Sequence, residues 1–320
     1  MITKFNNYMR SKFKTKSTPI TIQEFSNTNI VSAVNFKVKK YHSIREFQHD
    51  VESYFIEAKR QNSSLICFPE LFGMLPLLFI PFVRTFLFKK SSKLSTDSSD
   101  STQVSILNLL KKFNYYAESL VLLQHLAMKY KVYVCSGSMF VIENNKIYNR
   151  QYLLSPQGEI LGYQDKLHLV EMEKQFGLAI GHELKTFDLP FGRLCMPICM
   201  DASYFETLRI AKKKGCTIIA LPIANMENYN YYLALRGLDM RMKEIMMNGI
   251  KSPLILDGAI KITGVATLFQ NGSIIESTTT KKVISMKLTN QFKPDIQCHE
   301  NIKNQLFNEY KKIKGESLYE

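Results

Sequence analysis

The sequence predicts an α/β protein with covered, mixed sheets. Three observations carry that reading. Short continuous apolar runs such as SLICFPEL (64–71) and CTIIALPIA (216–224) have the character of strands buried on both faces. Segments with helical periodicity alternate with these runs, the order expected of sheets covered by helices. Hairpin signals, above all Asn271-Gly272 between ATLFQ and SIIES, require antiparallel neighbours, so the sheets are mixed rather than purely parallel.

The elements follow in order along the chain. Residues 29–36 (NIVSAVNF) read as a strand. Residues 44–60 read as an amphipathic helix with Ile44, Phe47, Val51, Phe55 and Ile56 on one face. The most apolar run, MLPLLFIPFVRTFLF (74–88), falls short of the about 20 residues a spanning helix needs. It also holds Pro76, Pro81 and Arg84, so no transmembrane span is expected there. A serine-rich connector, 89–101, reads as mobile, and a helical pattern runs through 104–131. VYVCSGSMFVI (132–142) and IYNRQYLLS are strands joined by the turn ENNK. RLCMPICM (193–200) reads as a strand. YFETLRIAKKKG (204–215) is a helix closed by a C-cap glycine, and CTIIALPIA is again a strand. LALRGLDMRMKEIMMNG (233–249) reads as a helix, followed by the strand SPLILDGAI and the Asn271-Gly272 hairpin.

Composition narrows the class. A hydrophobic fraction of 45% and a charged fraction of 22% exclude wholesale disorder, and 14 glycines and 10 prolines exclude collagen-like architectures. Lys+Arg 42 against Asp+Glu 28 leaves a net charge of +14, which favours an anionic partner without selecting one. No RNP, KH or zinc-finger signature is present, so no nucleic acid is expected. The six cysteines (67, 135, 195, 199, 216 and 298) form no CxxC pair and no Cys/His cluster with zinc spacing, so no metal is expected. Cys67, Cys135, Cys199 and Cys216 sit in or at the end of apolar runs, which fits reduced, buried thiols and a cytoplasmic location. The N-terminal stretch MITKFNNYMRSKFKTK is basic but has no apolar core of a secretory signal.

Three stretches end a predicted strand with a reactive side chain. In CFPEL, partial desolvation of Glu70 would raise its pKa toward a value useful to a general base. In QDKLHLVEMEKQFGL, the Lys166 ammonium could stabilise an oxyanion, with Glu171 and Glu173 downstream. In LCMPICMDASYFE, Cys199 precedes a helix whose N-terminus would lower the thiol pKa. Alone, each also reads as ordinary: a surface glutamate, a solvated lysine, a buried structural cysteine. Cys195, in the same strand without the helix, is given only the structural role.

Taken in order, these stretches resemble the carbon–nitrogen hydrolase (nitrilase/amidase) superfamily. FPEL resembles the family's first glutamate box, DKLHL its lysine box, and ICMD followed by YFE its nucleophile box. RGLDMRMKE resembles the arginine/glutamate helix after the nucleophile, and IYNRQYLLSPQGEILGYQDK the strand pair leading to the lysine. The resemblance spans about residues 28 to 290. It departs at Phe205, where proline is usual, and at Met200, which replaces a common aromatic residue. Both departures touch pocket shape more than chemistry.

The resemblance implies a four-layer α-β-β-α sandwich with two mixed sheets. It implies Cys199 as nucleophile, Glu70 as base and Lys166 as oxyanion holder with the backbone N–H of Met200. Glu173 is the expected second glutamate, with Glu171 as the alternative. Asp201 and Glu206 would be structural, and Arg241–Glu244 a buried ion pair behind the nucleophile. The expected activity is hydrolysis of a linear amide or N-acyl compound through a cysteine thioester, with no cofactor. Transfer of the acyl group to an amine is the first alternative, and a non-catalytic basic binding protein the second. The intact reactive positions argue against the latter. The expected organisation is a basic arm (1–20), the hydrolase domain (21–290) with an apolar then serine-rich insertion (74–103), and a C-terminal tail (291–320) in oligomer contact. A homodimer or higher homo-oligomer is expected. The apolar 74–88 run has two readings. It packs on the core or a partner copy, or it works with the basic arm as a peripheral membrane contact.

Overall fold

The computed structural model describes residues 28–79, 83, 116–226, 237–258 and 260–289. In chain order the strands are β1 (Ile30–Val34), β2 (Phe36–Lys37), β3 (Leu65–Cys67), β4 (Tyr133–Glu143), β5 (Lys146–Leu154), β6 (Ile160–Asp165), β7 (Leu178–Ala179), β8 (Thr186–Leu189), β9 (Gly192–Cys195), β10 (Ile218–Ile223), β11 (Asn248–Ile255), β12 (Ala266–Gln270), β13 (Ser273–Thr278) and β14 (Val283–Lys287). The α-helices are α1 (Ile44–Arg60), α2 (Tyr116–Tyr130), α3 (Glu171–Gln175), α4 (Phe205–Lys213) and α5 (Leu238–Ile245).

Two seven-stranded sheets result. One runs β14-β1-β3-β4-β5-β6 with β7 beside β5, and the other β13-β12-β11-β10-β9-β8 with β2 beside β11. Each has a parallel centre, β1-β3-β4 and β9-β10-β11, flanked by antiparallel strands. The mixed pairing inferred from hairpins is therefore present. The β4-β5 and β12-β13 hairpins turn on left-handed residues, Asn144-Asn145 and Asn271-Gly272, a backbone twist that suits two-residue loops between right-twisted strands.

The period-2 pattern of the central strands builds the layers. Leu65 and Cys67 of β3 and Ile218 and Ala220 of β10 face the other sheet and form one core between the two. Their neighbours point outward. Ile66 packs under α1 and α2, and Ile219 and Leu221 pack under α4 and α5. The order is helices, sheet, sheet, helices, the arrangement implied by the resemblance. Helix α1 has the predicted limits. Ser43 caps it by accepting from the Glu46 N–H, and the Glu46 carboxylate accepts from the His42 N–H. Ile56 is a correction: it faces solvent, and Tyr54 and Ala58 join the buried face instead.

Other boundaries also move. The strand predicted over 193–200 stops at Cys195. Pro197 offers no ladder donor, and Asp201 accepts the Ile198 N–H and bends the chain into a 3₁₀ turn, Cys199–Ser203. Of the helix predicted over 233–249, residues 233–236 lie outside the described residues, and the described part holds α5, Leu238–Ile245. Met246 ends it in the left-handed region, and Asn248 and Gly249 already belong to β11. Over Phe72–Phe79 the apolar run is a 3₁₀ helix with Leu75, Leu77 and Leu78 packed into the core. The basic arm, residues 80–82 and 84–88 of the apolar run, the serine-rich stretch, the first part of the predicted 104–131 helix (104–115) and the tail 291–320 lie outside the described residues. No helix among the described residues is long and apolar enough to cross a membrane.

One glycine fixes the turn that carries Glu70. At the β4 irregularity between Cys135 and Ser138, Gly137 has φ +66°, and a Cβ there would sit 2.0 Å from the Pro69 carbonyl oxygen. The adjoining Ser138 donates its N–H to that oxygen at 3.2 Å and accepts the Leu71 N–H on its hydroxyl at 3.1 Å. Gly137→Ala is expected to cost roughly 2–4 kcal/mol, from left-handed strain plus overpacking. Gly177, also left-handed but with nothing within 4 Å, is the control. Gly177→Ala should cost only about 1 kcal/mol. Urea unfolding of both variants checks the difference.

Candidate active site

The reactive side chains converge from four segments, two of them at the ends of the parallel strands β3 and β9, where parallel sheets commonly present their chemistry. Glu70 lies in the turn after β3, Lys166 directly after β6, Glu173 in α3, and Cys199 at the start of the turn after β9. Two bonds tie the sheets together nearby. The Gln151 side chain donates to the Met196 carbonyl at 2.7 Å, and the Ser252 hydroxyl donates to the Cys67 carbonyl at 2.8 Å.

Lys166 is at the centre. Its ammonium lies 2.9 Å from Glu70 Oε1 and 2.8 Å from Glu173 Oε2, and all three side chains are buried. Burial alone would lower the lysine pKa. The carboxylates of Glu70 and Glu173 outweigh it and hold the lysine above its usual range, which favours its cationic form. Glu173 also accepts the Val170 N–H on Oε2 at 3.0 Å, which starts α3 and fixes the carboxylate. Glu171, the alternative, is exposed and lies 3.6 Å from Lys174.

Glu70 behaves as its position predicted. Burial raises its pKa against the pull of Lys166, and the Glu173 carboxylate pushes the same way. Cys199 is a correction. In place of a thiol acidified by a helix N-terminus, burial pushes its pKa up, and the neighbouring Glu70 carboxylate adds to that. Lys166 and a backbone hydrogen bond at Ala224 oppose the shift without reversing it. The resting group is therefore a thiol, which donates to Asn225 Oδ1 at 3.6 Å and feels the charge of the Glu70 carboxylate. Its backbone is left-handed, φ +45°, a sparsely populated region for a non-glycine residue.

Asp201 holds that strained turn against the lysine segment. Oδ2 accepts the Ile198 N–H at 2.9 Å, and Oδ1 accepts the N–H groups of Leu167 and His168 at 3.0 and 2.7 Å. The His168 ring stacks on Tyr204 at 3.9 Å. The predicted Arg241–Glu244 pair is a second correction. It spans 3.9 Å and is partly exposed, because Glu244 bonds Arg209 more closely, at 2.7 Å.

Sequence reasoning did not single out Asn149. It is fully buried in β5, and its side-chain NH₂ donates to Glu70 Oε1 at 3.0 Å and to Glu173 Oε1 at 2.8 Å. The available signal was an asparagine in a strand already aligned with the family's lysine-leading pair. Among the described residues, no three His, Cys, Asp or Glu side chains converge as a metal site.

Comparison with known proteins places this geometry. The carbon-nitrogen hydrolase family model matches residues 31–239, more than half of the chain. A probable hydrolase, YhcX, of Bacillus subtilis (strain 168) is 30% identical over 203 residues, covering 63% of this chain and 35% of its own. The omega-amidase NIT2 of Danio rerio is 28% identical over 113 residues, covering 33% of this chain and 41% of its own. The chain thus spans less than half the length of either relative. Among solved structures, a mutant amidase from Nesterenkonia sp. AN1, with the acetamide moiety of fluoroacetamide added at its active-site cysteine, aligns with TM-score 0.66 at 14% identity. The alignment covers 92% of this chain and 100% of the amidase, and at that identity it bears on the fold alone. With two mixed sheets between helix layers, and a family match spanning the glutamate, lysine and nucleophile segments, the chain belongs to the carbon-nitrogen hydrolase family.

Proposed function

We propose that the protein is an amidase that cleaves the C–N bond of a small linear amide through a thioester on Cys199. The observation that carries this reading is the convergence of Cys199, Glu70, Lys166 and Glu173 from four separate segments, in a chain of this family. Glu70 takes the thiol proton, and the sulfur attacks the amide carbon. Lys166 and the Met200 N–H hold the oxyanion of the tetrahedral adduct. Glu70 then gives its proton to the leaving nitrogen, the C–N bond breaks, and ammonia or an amine departs. Water replaces it, loses a proton to Glu70 and attacks the thioester. Collapse expels the thiolate, which recovers that proton, and the carboxylic acid leaves.

Glu173 keeps Lys166 aimed. A cytoplasmic location belongs to the same reading, supported by five free cysteines among the described residues. So does a homodimer, resting on the resemblance and checked by light scattering. A panel of short linear amides and ω-carboxamides, assayed for ammonia, tests the activity. Wild type should release ammonia and Cys199→Ala should not. Hydroxamate in place of free acid, formed at low hydroxylamine, would mark an acyltransferase instead. No release from any amide would overturn the reading.

A further inference from the structure

We propose that Asn149 is a positioning residue that aligns the two carboxylates around Lys166 and sets the ionisation of Glu70. This rests on the reading of Glu70 as the base. Asn149 Nδ2 and Lys166 Nζ both donate to the same two oxygens, Oε1 of Glu70 and Oε1 of Glu173, over 2.8–3.0 Å. The four atoms close a ring in which donors and acceptors alternate. The Asn149 carbonyl also accepts the Lys166 N–H at 2.8 Å, so one residue addresses three of the four groups.

Only the NH₂ edge suits this place, because a flipped amide would set its oxygen against two carboxylate oxygens. The orientation leaves a cost elsewhere. Asn149 Oδ1 is buried with no hydrogen-bond partner among the described residues. A site selected for packing alone would hold leucine there and avoid an unpaired buried acceptor. The titratable groups facing this ring are Glu70 from the turn after β3, Glu173 from α3, Lys166 from the end of β6, and Cys199 across from Glu70. Two carboxyl groups share one ammonium here. Asn149 adds two donors and no charge of its own, which favours the ionised form of Glu70, the form able to accept the thiol proton.

The test follows alkylation of Cys199 by iodoacetamide against pH, read by peptide mass spectrometry, which needs no knowledge of the substrate. Wild type should show an acidic limb where Glu70 protonates, and Glu70→Gln should remove it. In Asn149→Leu the limb should move up by about one pH unit, the scale of one lost hydrogen bond to a charged group. In Asn149→Asp, nearly isosteric and therefore the second arm if the leucine variant does not fold, a third carboxylate should move it at least as far. Folded variants that lose thermal stability but keep the limb in place would overturn the inference. A limb that survives Glu70→Gln would overturn the base assignment instead, so the two failures are distinct.

Discussion

Lys166→Met is expected to abolish turnover and to cost about 3–5 kcal/mol of stability, the scale of breaking a buried ion pair from one side. Methionine fills similar space, so the loss is chiefly electrostatic. Glu70 and Glu173 would face each other with only Asn149 between them. The Glu70 carboxyl pKa, which Lys166 now holds down, would rise further, and the folded state would bind more protons than the unfolded chain between the ordinary glutamate range and the raised value. Stability of the variant should therefore improve as pH falls through that window. Urea unfolding near pH 8 and near pH 5 checks the sign. A deficit that does not change with pH would contradict the ring of charges described for this site.

Glu70→Gln carries the second large effect. The Cys199 thiol is held above its usual pKa, so at neutral pH it is protonated and needs a base in contact. Glutamine keeps the shape and hydrogen-bonding capacity near Lys166 but cannot accept the proton. kcat/KM should fall by roughly 10²–10⁴-fold, the usual worth of a positioned general base. In wild type, the acidic limb of kcat/KM should lie above the ordinary glutamate range, because burial raises Glu70. Raising the pH should not restore Glu70→Gln to wild-type rates. A pH-rate profile of both proteins over the range where each stays folded decides the matter.

These predictions draw on parts of the molecule that were unequally legible in the sequence. The layering was legible because the apolar runs around Ile66 and Ile219 are buried on both faces, a pattern that few other environments produce. The reactive segments were legible through their order, which no single residue would have supplied. The state of Cys199 was not. Its place ahead of a helix N-terminus suggested an acidified thiol, whereas desolvation beside a carboxylate decides the shift in the other direction. Asn149 was illegible for a related reason. Its partners lie 79 and 24 residues away along the chain. Periodicity reports which face a residue takes, not which distant groups meet it there. Boundaries moved where a local device overrode the apolar pattern: Pro197 with Asp201 ended one strand early, and left-handed Met246 ended one helix early.

The most direct test of the central claim is acid-quenched intact-protein mass spectrometry during turnover of an amide substrate. Wild type should carry an added mass equal to the acyl group, mapping to Cys199 and absent from Cys199→Ala. Amide turnover that persists in Cys199→Ala, or an acyl group that maps to another residue, would contradict the account.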